Sequence, residues 1–374
     1  MAADNPRIEP VAPLAGLRVV DFSRLLPGAF CSLLLSDLGA DVVKVEHPRG
    51  GDGLRLAPPF AATGESGAHI VLDRGKRSVA ADLKTDDGLT LARSLVAGAD
   101  VVIESFRPGT FDRLGLGWTW LAEHHPRVVL ASLSAYGAGG SDAGRSGHDL
   151  NALAVAGALS LTHPPATPGG QAADVLAGAL AAVGILAALR ERDRTGRGRQ
   201  VDVGLADAAS ATVVLASAER LASGQAPQAG GPLSGGLACY GTYECADRRW
   251  VAVGALEPVL FARLCESLGE PDLVAQQYDI GRQDRLRHRL AAAFARRPRD
   301  ACVEHFAGVD AAVSPVLDVA EAALRAEHAG RAVVAGRLSD GTPVSTPGGF
   351  VRVVGAPAPP SSAAPGLGTD ARSD

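Results

Sequence analysis

Short runs of β-branched residues alternate with helical patterns along the first third of the chain. These runs predict strands at Arg18–Phe22, Val42–Glu46, Val79–Leu83, Val101–Glu104 and Arg127–Leu133. Helices are predicted at Ala29–Leu38 and Asp87–Ala97. Strands separated by helices of about ten to fifteen residues are typical of βαβ units. We therefore predict an α/β fold with a mostly parallel sheet that is covered by helices.

A glycine-rich loop at Gly137–Gly147 interrupts this pattern, and two predicted helices follow it at Asp149–Leu159 and Asp174–Arg192. The second helix is apolar on all sides, so we expect it to be buried on every face. Its most apolar stretch, Val175–Leu189, holds about fifteen residues. A membrane span needs roughly 20 apolar residues, so we expect no membrane partner.

The following part of the chain predicts a second, smaller domain. The stretch 221–237 is rich in Gly, Pro, Ser and Gln, which is typical of a linker. A hairpin is predicted at Tyr240–Cys245 and Trp250–Gly254, with helices near Pro258–Leu268 and Arg285–Ala295. This mixture of elements predicts an α+β unit.

Composition excludes several classes of function. Of the 374 residues, 47% are hydrophobic and 21% are charged, and the formal net charge is −5. Charges of both signs are interspersed, so the chain lacks the basic surface of an electrostatic nucleic-acid binder. The N-terminus has no apolar signal region, and the five cysteines include no CxxC pair. We expect a cytoplasmic globular protein with reduced thiols and no nucleic-acid partner.

The sequence lacks the common motifs of nucleotide, metal and serine-hydrolase chemistry. It has no GxxxxGK[ST] loop, no GxGxxG after the first predicted strand, no GxSxG and no HExxH. The pair His124 and His125 lies in a polar segment, which is more typical of a solvated helix end than of a metal site. We predict no metal site.

Three ionisable residues stand in unusual surroundings. His148 closes the glycine-rich loop, Asp174 opens the apolar helix, and Glu257 follows a predicted strand. Each also has a structural interpretation. Asp174 could cap its helix, His148 could be a loop residue beside a cap, and Glu257 could complement a helix dipole. Spacing alone does not show that the three residues converge.

Several longer segments resemble the family III CoA-transferases (CaiB/BaiF-like proteins), a superfamily that includes the alpha-methylacyl-CoA racemases. The resemblance begins with LAGLRVVDFSRLLPGAFCSLLLSDLGADVVKVEHP and continues, in order, through RGKRSVAADLK, VVIESFRPGTFDRLGLGW, LSAYGAGG, RTGRGRQVDVGLAD and DAAVSPVLD. It implies an interlocked homodimer in which the large domain of one subunit and the small domain of the other form the active site. The implied domains are a large, Rossmann-like CoA-binding domain at 1–205, a linker at 206–237, a small domain at 238–320 and a C-terminal return to the large domain at 321–374.

Two strings separate the branches of this superfamily. The transferases use an aspartate at the position of Asp174 as a nucleophile, and usually carry an apolar or aromatic residue where this chain has His148. The racemases have a GHD string and a VGAxEP string, which this chain matches with GHDLNA and VGALEP. The resemblance therefore implies that His148, Asp174 and Glu257 are the catalytic residues of a racemase.

These residue types suit the inversion of a carbon next to a thioester. A base removes a proton from one face and an acid returns a proton on the other, with a planar enolate between the two steps. His148 and Asp174 would form this pair, and Glu257 would orient His148. A backbone N–H at the helix start near Asp149 would hold the enolate oxygen. CoA is then part of the substrate, and no separate cofactor is expected.

The resemblance also implies which residues contact CoA. They are Ala80, Ala81, Asp82, Leu83, Glu104, Ser105, Phe106, Gly147, Asp149, Leu150 and Asn151. Arg77 is a candidate phosphate partner, and a solvated surface arginine is an equally good interpretation of it. His47 stands where racemases often have an arginine, a departure that bears on substrate fit more than on reaction type.

We therefore predict a racemase of 2-methylacyl-CoA thioesters, an enzyme of lipid and fatty acid metabolism. One alternative is a family III CoA-transferase with Asp174 as its nucleophile. Another is a catalytically idle protein that binds acyl-CoA.

Overall fold

The computed structural model describes residues 11–162 and 164–370, which form two units. The first unit takes its described residues from the ranges 1–156, 168–212 and 323–374. The second takes them from 157–167 and 213–322.

Six parallel strands form the central sheet of the first unit. They are β1 (Arg18–Asp21), β2 (Asp41–Glu46), β3 (Arg77–Ala80), β4 (Val101–Glu104), β5 (Val129–Ser134) and β6 (Gln200–Gly204). Their order across the sheet is β3-β2-β1-β4-β5-β6, so the chain moves outward in both directions from β1. The predicted parallel sheet is confirmed, although β6 was not predicted.

Helices cover both faces of this sheet. They are α1 (Leu25–Asp37), α2 (Gly67–Leu72), α3 (Asp86–Ala97), α4 (Thr110–Arg113), α5 (Trp118–His124), α6 (Asp149–Val155), α7 (Ala172–Thr195) and α8 (Leu205–Ser210). Successive residues of β1 point to opposite faces. Val19 packs into a core shared with α1 and α7, and Val20 packs into one shared with α3 and α5. Burial on both faces explains why the strands are continuous apolar runs.

Helix α7 is longer than its predicted range and is not buried on every face. Its small residues pack closely on α1, and a side chain at Gly178 would lie only 2.5 Å from the carbonyl oxygen of Pro27. On other faces Val183 is 61% exposed and Leu186 is 37% exposed, which corrects the predicted burial. By length and composition the 24-residue helix also meets the requirement for crossing a membrane, as core helices of globular proteins often do.

The second unit is a small α+β unit, as predicted. Its described elements are α9 (Val214–Ser223), β7 (Tyr240–Glu244), β8 (Trp250–Gly254), α10 (Pro258–Leu268), α11 (Gln283–Phe294), α12 (Arg299–His305) and β9 (Val313–Pro315). The strands form an antiparallel sheet in the order β7-β8-β9. Helices α8 and α9 occupy much of the segment 206–237, for which a linker was predicted, because the apolar residues before Gly224 are helical and only the residues after it are irregular.

The chain re-enters the first unit within α13 (Val319–Ala329) and forms a hairpin of β10 (Val333–Arg337) and β11 (Pro343–Pro347). The tail after this hairpin runs along the edge of the parallel sheet. The carbonyl oxygen of Pro365 accepts a hydrogen bond from Arg55 at 3.0 Å, and the carboxylate of Asp370 accepts one from the N–H of Ser78 in β3 at 2.9 Å. The tail thereby covers an edge strand that would otherwise expose unpaired backbone groups.

Candidate active site

The buried carboxylate of Asp149 joins the two helices whose starts carry His148 and Asp174. His148 directly precedes α6, and its N–H donates to the side-chain oxygen of Asn151 at 3.1 Å. The next residue, Asp149, is buried and accepts hydrogen bonds from the N–H groups of Ala173 and Asp174 at 2.7 and 3.2 Å. Asp149 therefore fixes the start of α7 against the start of α6.

Asp174 lies in the first turn of α7 and does not cap that helix. Gln171 is the residue that precedes the helix, and the free N–H groups of the first turn donate to Asp149 instead. Within the described residues, no group donates a hydrogen bond to the Asp174 carboxyl. Burial raises the pKa of Asp174 to about 6, the charge of Asp149 adds to this effect, and His148 opposes it. The capping interpretation is thus wrong for this residue, and its carboxyl is available for chemistry.

Glu257 belongs to the second unit. It directly precedes α10 and is exposed. The carbonyl of the preceding residue, Leu256, accepts hydrogen bonds from the side chains of Gln277, at 2.7 Å, and Tyr278. These contacts fix the chain at the strand end from which Glu257 projects. An interaction between Glu257 and His148 stays a prediction.

A cleft of about 530 Å³ opens at the carboxyl ends of β1, β2, β3 and β4. Ligands of open parallel sheets bind at this edge, beside the point where the strand order reverses. Four of the predicted binding residues line the cleft: Ala81, Asp82, Leu83 and Phe106. The first three follow β3 directly, because that strand ends at Ala80 and not at Leu83.

The carboxylates that line the cleft have basic partners, whereas several of its cations are left unpaired. Each lining carboxylate faces a basic group, in the pairs Glu46 with Arg55, Asp52 with Lys44 and Asp82 with His47, at 2.6, 3.0 and 3.5 Å. Three further lining cations, Arg24, Arg49 and Lys84, have no carboxylate partner among the described residues. These three unpaired cations suit a ligand that carries phosphate groups. Sequence reasoning missed Arg24 and Lys84, although both follow strands at the binding edge of the sheet.

Four predicted CoA contacts lie elsewhere. Arg77 opens β3 at the amino end of the sheet, where its guanidinium binds the carboxylate of Asp41 at 2.6 and 3.0 Å. Glu104 lines a separate cavity of about 70 Å³. The Ser105 hydroxyl accepts a hydrogen bond from the Arg24 N–H at 2.8 Å and does not line the cleft. Ala80 ends β3 and does not line it either. The strand direction places Arg77 away from the cleft, so it is no phosphate partner there.

The remaining predicted contacts are Gly147, Asp149, Leu150 and Asn151, which flank His148 in the chain at the start of α6. Leu150 is exposed, and the side-chain oxygen of Asn151 accepts the hydrogen bond from the His148 N–H described above. In the part of the chain that the structure describes, no group of three or more His, Cys, Asp or Glu side chains is placed to hold a metal ion.

A free carboxylate next to a histidine, in a unit whose cleft suits phosphates, points to an enzyme that acts on a phosphate-bearing substrate. The model of CoA-transferase family III matches residues 14–371, and the chain belongs to this family. The alpha-methylacyl-CoA racemase of Mus musculus is 34% identical over 356 residues, which cover 93% of this chain and 88% of that protein. The beta subunit of succinyl-CoA–L-malate CoA-transferase of Chloroflexus aurantiacus is 35% identical over 287 residues, covering 74% and 70%.

Solved structures agree with this assignment. The crystal structure of a CAIB/BAIF family protein from Brucella suis superposes with a TM-score of 0.84 at 29% identity, covering 97% of this chain and 98% of that chain. The resemblance found in the sequence is confirmed. Because relatives at similar identity include both racemases and CoA-transferases, membership establishes an enzyme superfamily and implies acyl-CoA as the type of substrate.

Proposed function

We propose that the protein is a racemase of 2-methylacyl-CoA thioesters that works by two-base proton transfer. One observation carries this proposal: Asp149 joins the elements that bear His148 and Asp174, and the Asp174 carboxyl is left without a hydrogen-bond donor among the described residues. A histidine and a free carboxyl held in one place are the two acid–base groups that the inversion of a carbon requires.

In the proposed reaction, one of these groups takes the proton from the carbon next to the thioester. The electron pair of that C–H bond passes into an enolate, whose negative charge lies on the thioester oxygen. The other group, protonated at the start, then returns a proton to the opposite face of the carbon. His148 and Asp174 exchange roles when the opposite enantiomer is the substrate, so no net proton is gained or lost.

The pKa of Asp174 suits both of its roles. Its value of about 6, set by burial and by the charge of Asp149, lies close to neutral pH. An acid–base group is most effective when its pKa lies near the working pH, because both protonation states are then accessible. An aspartate with an ordinary pKa would be a weaker base and would hold a proton too rarely to return one.

The surroundings of the pair suggest where the substrate lies. Arg24, Arg49 and Lys84 would bind the phosphates of CoA in the cleft, and Phe106 would contact its apolar parts. At the start of α6, the N–H of Asp149 has no acceptor among the described residues. It would donate to the enolate oxygen, since such N–H groups stabilise developing negative charge.

A homodimer is part of this proposal. The apolar residues Val183 and Leu186 of α7 are exposed in the first unit, and Val214, Leu215 and Leu221 of α9 are exposed in the second. Exposed apolar residues grouped in this way are typical of an interaction surface. A second copy of the chain would cover them and would supply Glu257 to orient His148.

A CoA-transferase is the second candidate, because several relatives carry that name and because the Asp174 carboxylate is free to act as a nucleophile. In this reaction Asp174 attacks the thioester carbonyl, CoA leaves as the thiolate and an acyl anhydride forms. His148 has no necessary part in these steps, so its replacement separates the two candidates.

The decisive experiment follows the α-proton of one enantiomer of a 2-methylacyl-CoA in deuterated buffer, without an acceptor acid. A racemase incorporates deuterium while optical purity is lost. We expect His148→Ala to slow this exchange by about 10²–10⁴-fold, the usual contribution of an acid–base group. His124→Ala, which replaces an exposed histidine on α5, serves as the matched control and should exchange at the wild-type rate.

Other results would reject the racemase. Transfer of CoA to an added carboxylate, without α-proton exchange and with activity retained in His148→Ala, would establish a transferase. Acyl-CoA binding with neither reaction, tested over several acyl chains, would establish an idle binder.

A further inference from the structure

Glu104 ends β4 and does not line the cleft, although it was predicted to contact CoA. Its side chain is buried, with a relative exposure of 7%, and lines the separate cavity of about 70 Å³. One carboxylate oxygen of Glu104 accepts a hydrogen bond from the N–H of Phe106 at 2.7 Å. Phe106 lines both this cavity and the cleft. Glu104 therefore fixes the backbone of a residue in the cleft wall without lining the cleft itself.

The turn that Glu104 holds is tied to both parts of the candidate active site. On the cleft side, the Ser105 hydroxyl accepts the N–H of Arg24, and the Arg24 guanidinium lies 5.3 Å from the centre of the Phe106 ring. On the other side, Arg107 donates to the hydroxyl of Ser146 at 2.5 Å, two residues before His148. Three consecutive residues thus connect the cleft with the loop that carries His148.

We propose that Glu104 is a positioning residue for the acyl-CoA reaction. By accepting the Phe106 N–H, it fixes the turn 105–107 in the shape that presents Phe106 to the ligand and Arg107 to the loop of His148. The inference rests on the proposed function in one respect, that CoA occupies the cleft.

The charge of Glu104 adds a pH-dependent component to this role. Burial raises the pKa of Glu104 to about 7, hydrogen bonds from Ser132 and from the Phe106 N–H oppose the rise, and the charges of Asp112 and Asp202 add to it. The described residues that line its cavity include these two carboxylates and no basic side chain. A carboxylate is a stronger acceptor than a neutral carboxyl, so the turn is held more firmly above pH 7 than below it.

The test compares CoA binding by Glu104→Ala and Glu104→Gln, measured by calorimetry on the full chain. Glu104→Ala leaves the Phe106 N–H without its partner, and we expect the dissociation constant for CoA to rise about tenfold, as for the loss of a buried hydrogen bond. Glu104→Gln keeps an acceptor oxygen and should bind CoA within about twofold of wild type at pH 6. Between pH 6 and pH 8 the wild type should gain affinity relative to Glu104→Gln, because only the wild type gains a carboxylate.

Asp100→Ala is the matched control. Asp100 directly precedes β4, at the opposite end of the strand. Its carboxylate accepts the N–H of Arg18 at 3.0 Å and forms an ion pair with Arg192 at 2.8 Å. The control removes a hydrogen bond and an ion pair from the same unit without touching the cleft, so its cost in stability should be at least that of Glu104→Ala. We expect it to leave the dissociation constant for CoA unchanged, so a loss confined to Glu104→Ala cannot come from reduced stability alone.

The outcomes separate this inference from the proposed function. If the wild type does not bind CoA, the proposed function fails and the inference fails with it. If the wild type binds CoA and a folded Glu104→Ala binds it equally well, only the role of Glu104 is overturned. If Glu104→Ala does not fold, the pH series decides, and an identical pH dependence in wild type and Glu104→Gln overturns the inference.

Discussion

Two aspartates of the first unit show how partners, more than burial, decide what a carboxylate does. Asp73 is fully buried and contacts Lys76 at 3.0 Å and His69 at 2.9 Å. Burial alone would raise its pKa, yet Lys76 and Lys44 outweigh burial and hold the pKa of Asp73 well below its usual range. Asp174 is only half-buried, but its close charged neighbours are another carboxylate and a histidine, and its pKa is raised to about 6.

The two aspartates differ in whether nearby cations offset their negative charge. Asp73 lies in a cluster of buried ion pairs that holds β2, α2 and the start of β3 together, and its lowered pKa keeps it ionised to low pH. Asp174 and Glu104 have raised pKa values and no cation that balances them among the described residues. Ionisable groups that lack a counter-charge and have a pKa near neutral are typical of functional sites. Glu104 lies at the edge of the sheet that carries the cleft, and Asp174 lies beside the helix start that carries His148.

The largest effects are expected when Asp73 and Asp174 are each replaced by asparagine. Asp73→Asn removes one partner of a buried ion pair and should lower the free energy of unfolding by about 3–5 kcal/mol. Buried Lys76 then loses its nearer counter-charge, at 3.0 Å, and keeps only Asp21 at 4.0 Å. Asp174→Asn should leave the protein at least as stable as wild type, while α-proton exchange falls by about 10²-fold or more. Urea unfolding and the exchange assay, run on both variants, check the two expectations. A destabilised Asp174→Asn with normal exchange would reverse the assignment of the two aspartates.

The sequence predicted features that neighbouring residues determine, such as strands and helices. It did not predict contacts between residues that are distant in the chain. Alternation of strands and helices predicted the parallel sheet, since hydrophobic periodicity is set by neighbouring residues. His148 and Asp174 were found as unusual residues at element starts. The tie through Asp149 could not be found, because it joins residues 24 and 25 positions apart across two elements.

Errors at strand ends had the same origin. The predicted third strand covered Val79–Leu83, whereas β3 runs from Arg77 to Ala80. The shift of a few residues moves Arg77 to the amino end of the strand and moves 81–83 beyond its carboxyl end, where the cleft lies. For Glu104 the predicted strand end was correct. Its side chain nevertheless does not line the cleft, because the orientation of a strand's last residue is set by packing against other segments.

A smaller effect tests the raised pKa of Asp174 through stability. The folded state holds the Asp174 proton more tightly than the unfolded state. The contribution of Asp174 to the free energy of unfolding therefore falls as pH rises from about 4 to about 6 and is constant above that window. Asp174→Asn has no such proton. Its stability relative to wild type should therefore grow by about 1 kcal/mol across the window, a figure reduced for the partial exposure of the group.

Urea unfolding of wild type and Asp174→Asn at pH 4, 5, 6 and 7 measures this difference. Contributions from Asp73 and from the other carboxylates cancel, because both proteins contain them. If the difference in free energy of unfolding between the two proteins is the same at all four pH values, Asp174 has an ordinary pKa. Asp174 and Asp73 would then differ in their positions but not in the direction of a pKa shift.

The smallest expected effect concerns Asp149, which both holds Asp174 in place and raises its pKa. Asp149→Asn keeps an oxygen that can accept the N–H groups of Ala173 and Asp174 but removes the negative charge. Since burial is the larger cause and remains, the pKa of Asp174 should fall only partway toward its usual value, and the acid limb of the exchange rate should move to lower pH by a fraction of a unit. Asp149→Ala also removes the acceptor and should cost about 1 kcal/mol of stability, as the loss of a helix cap does. An acid limb that moves in Asp149→Ala but not in Asp149→Asn would mean that Asp149 acts on Asp174 through position and not through charge.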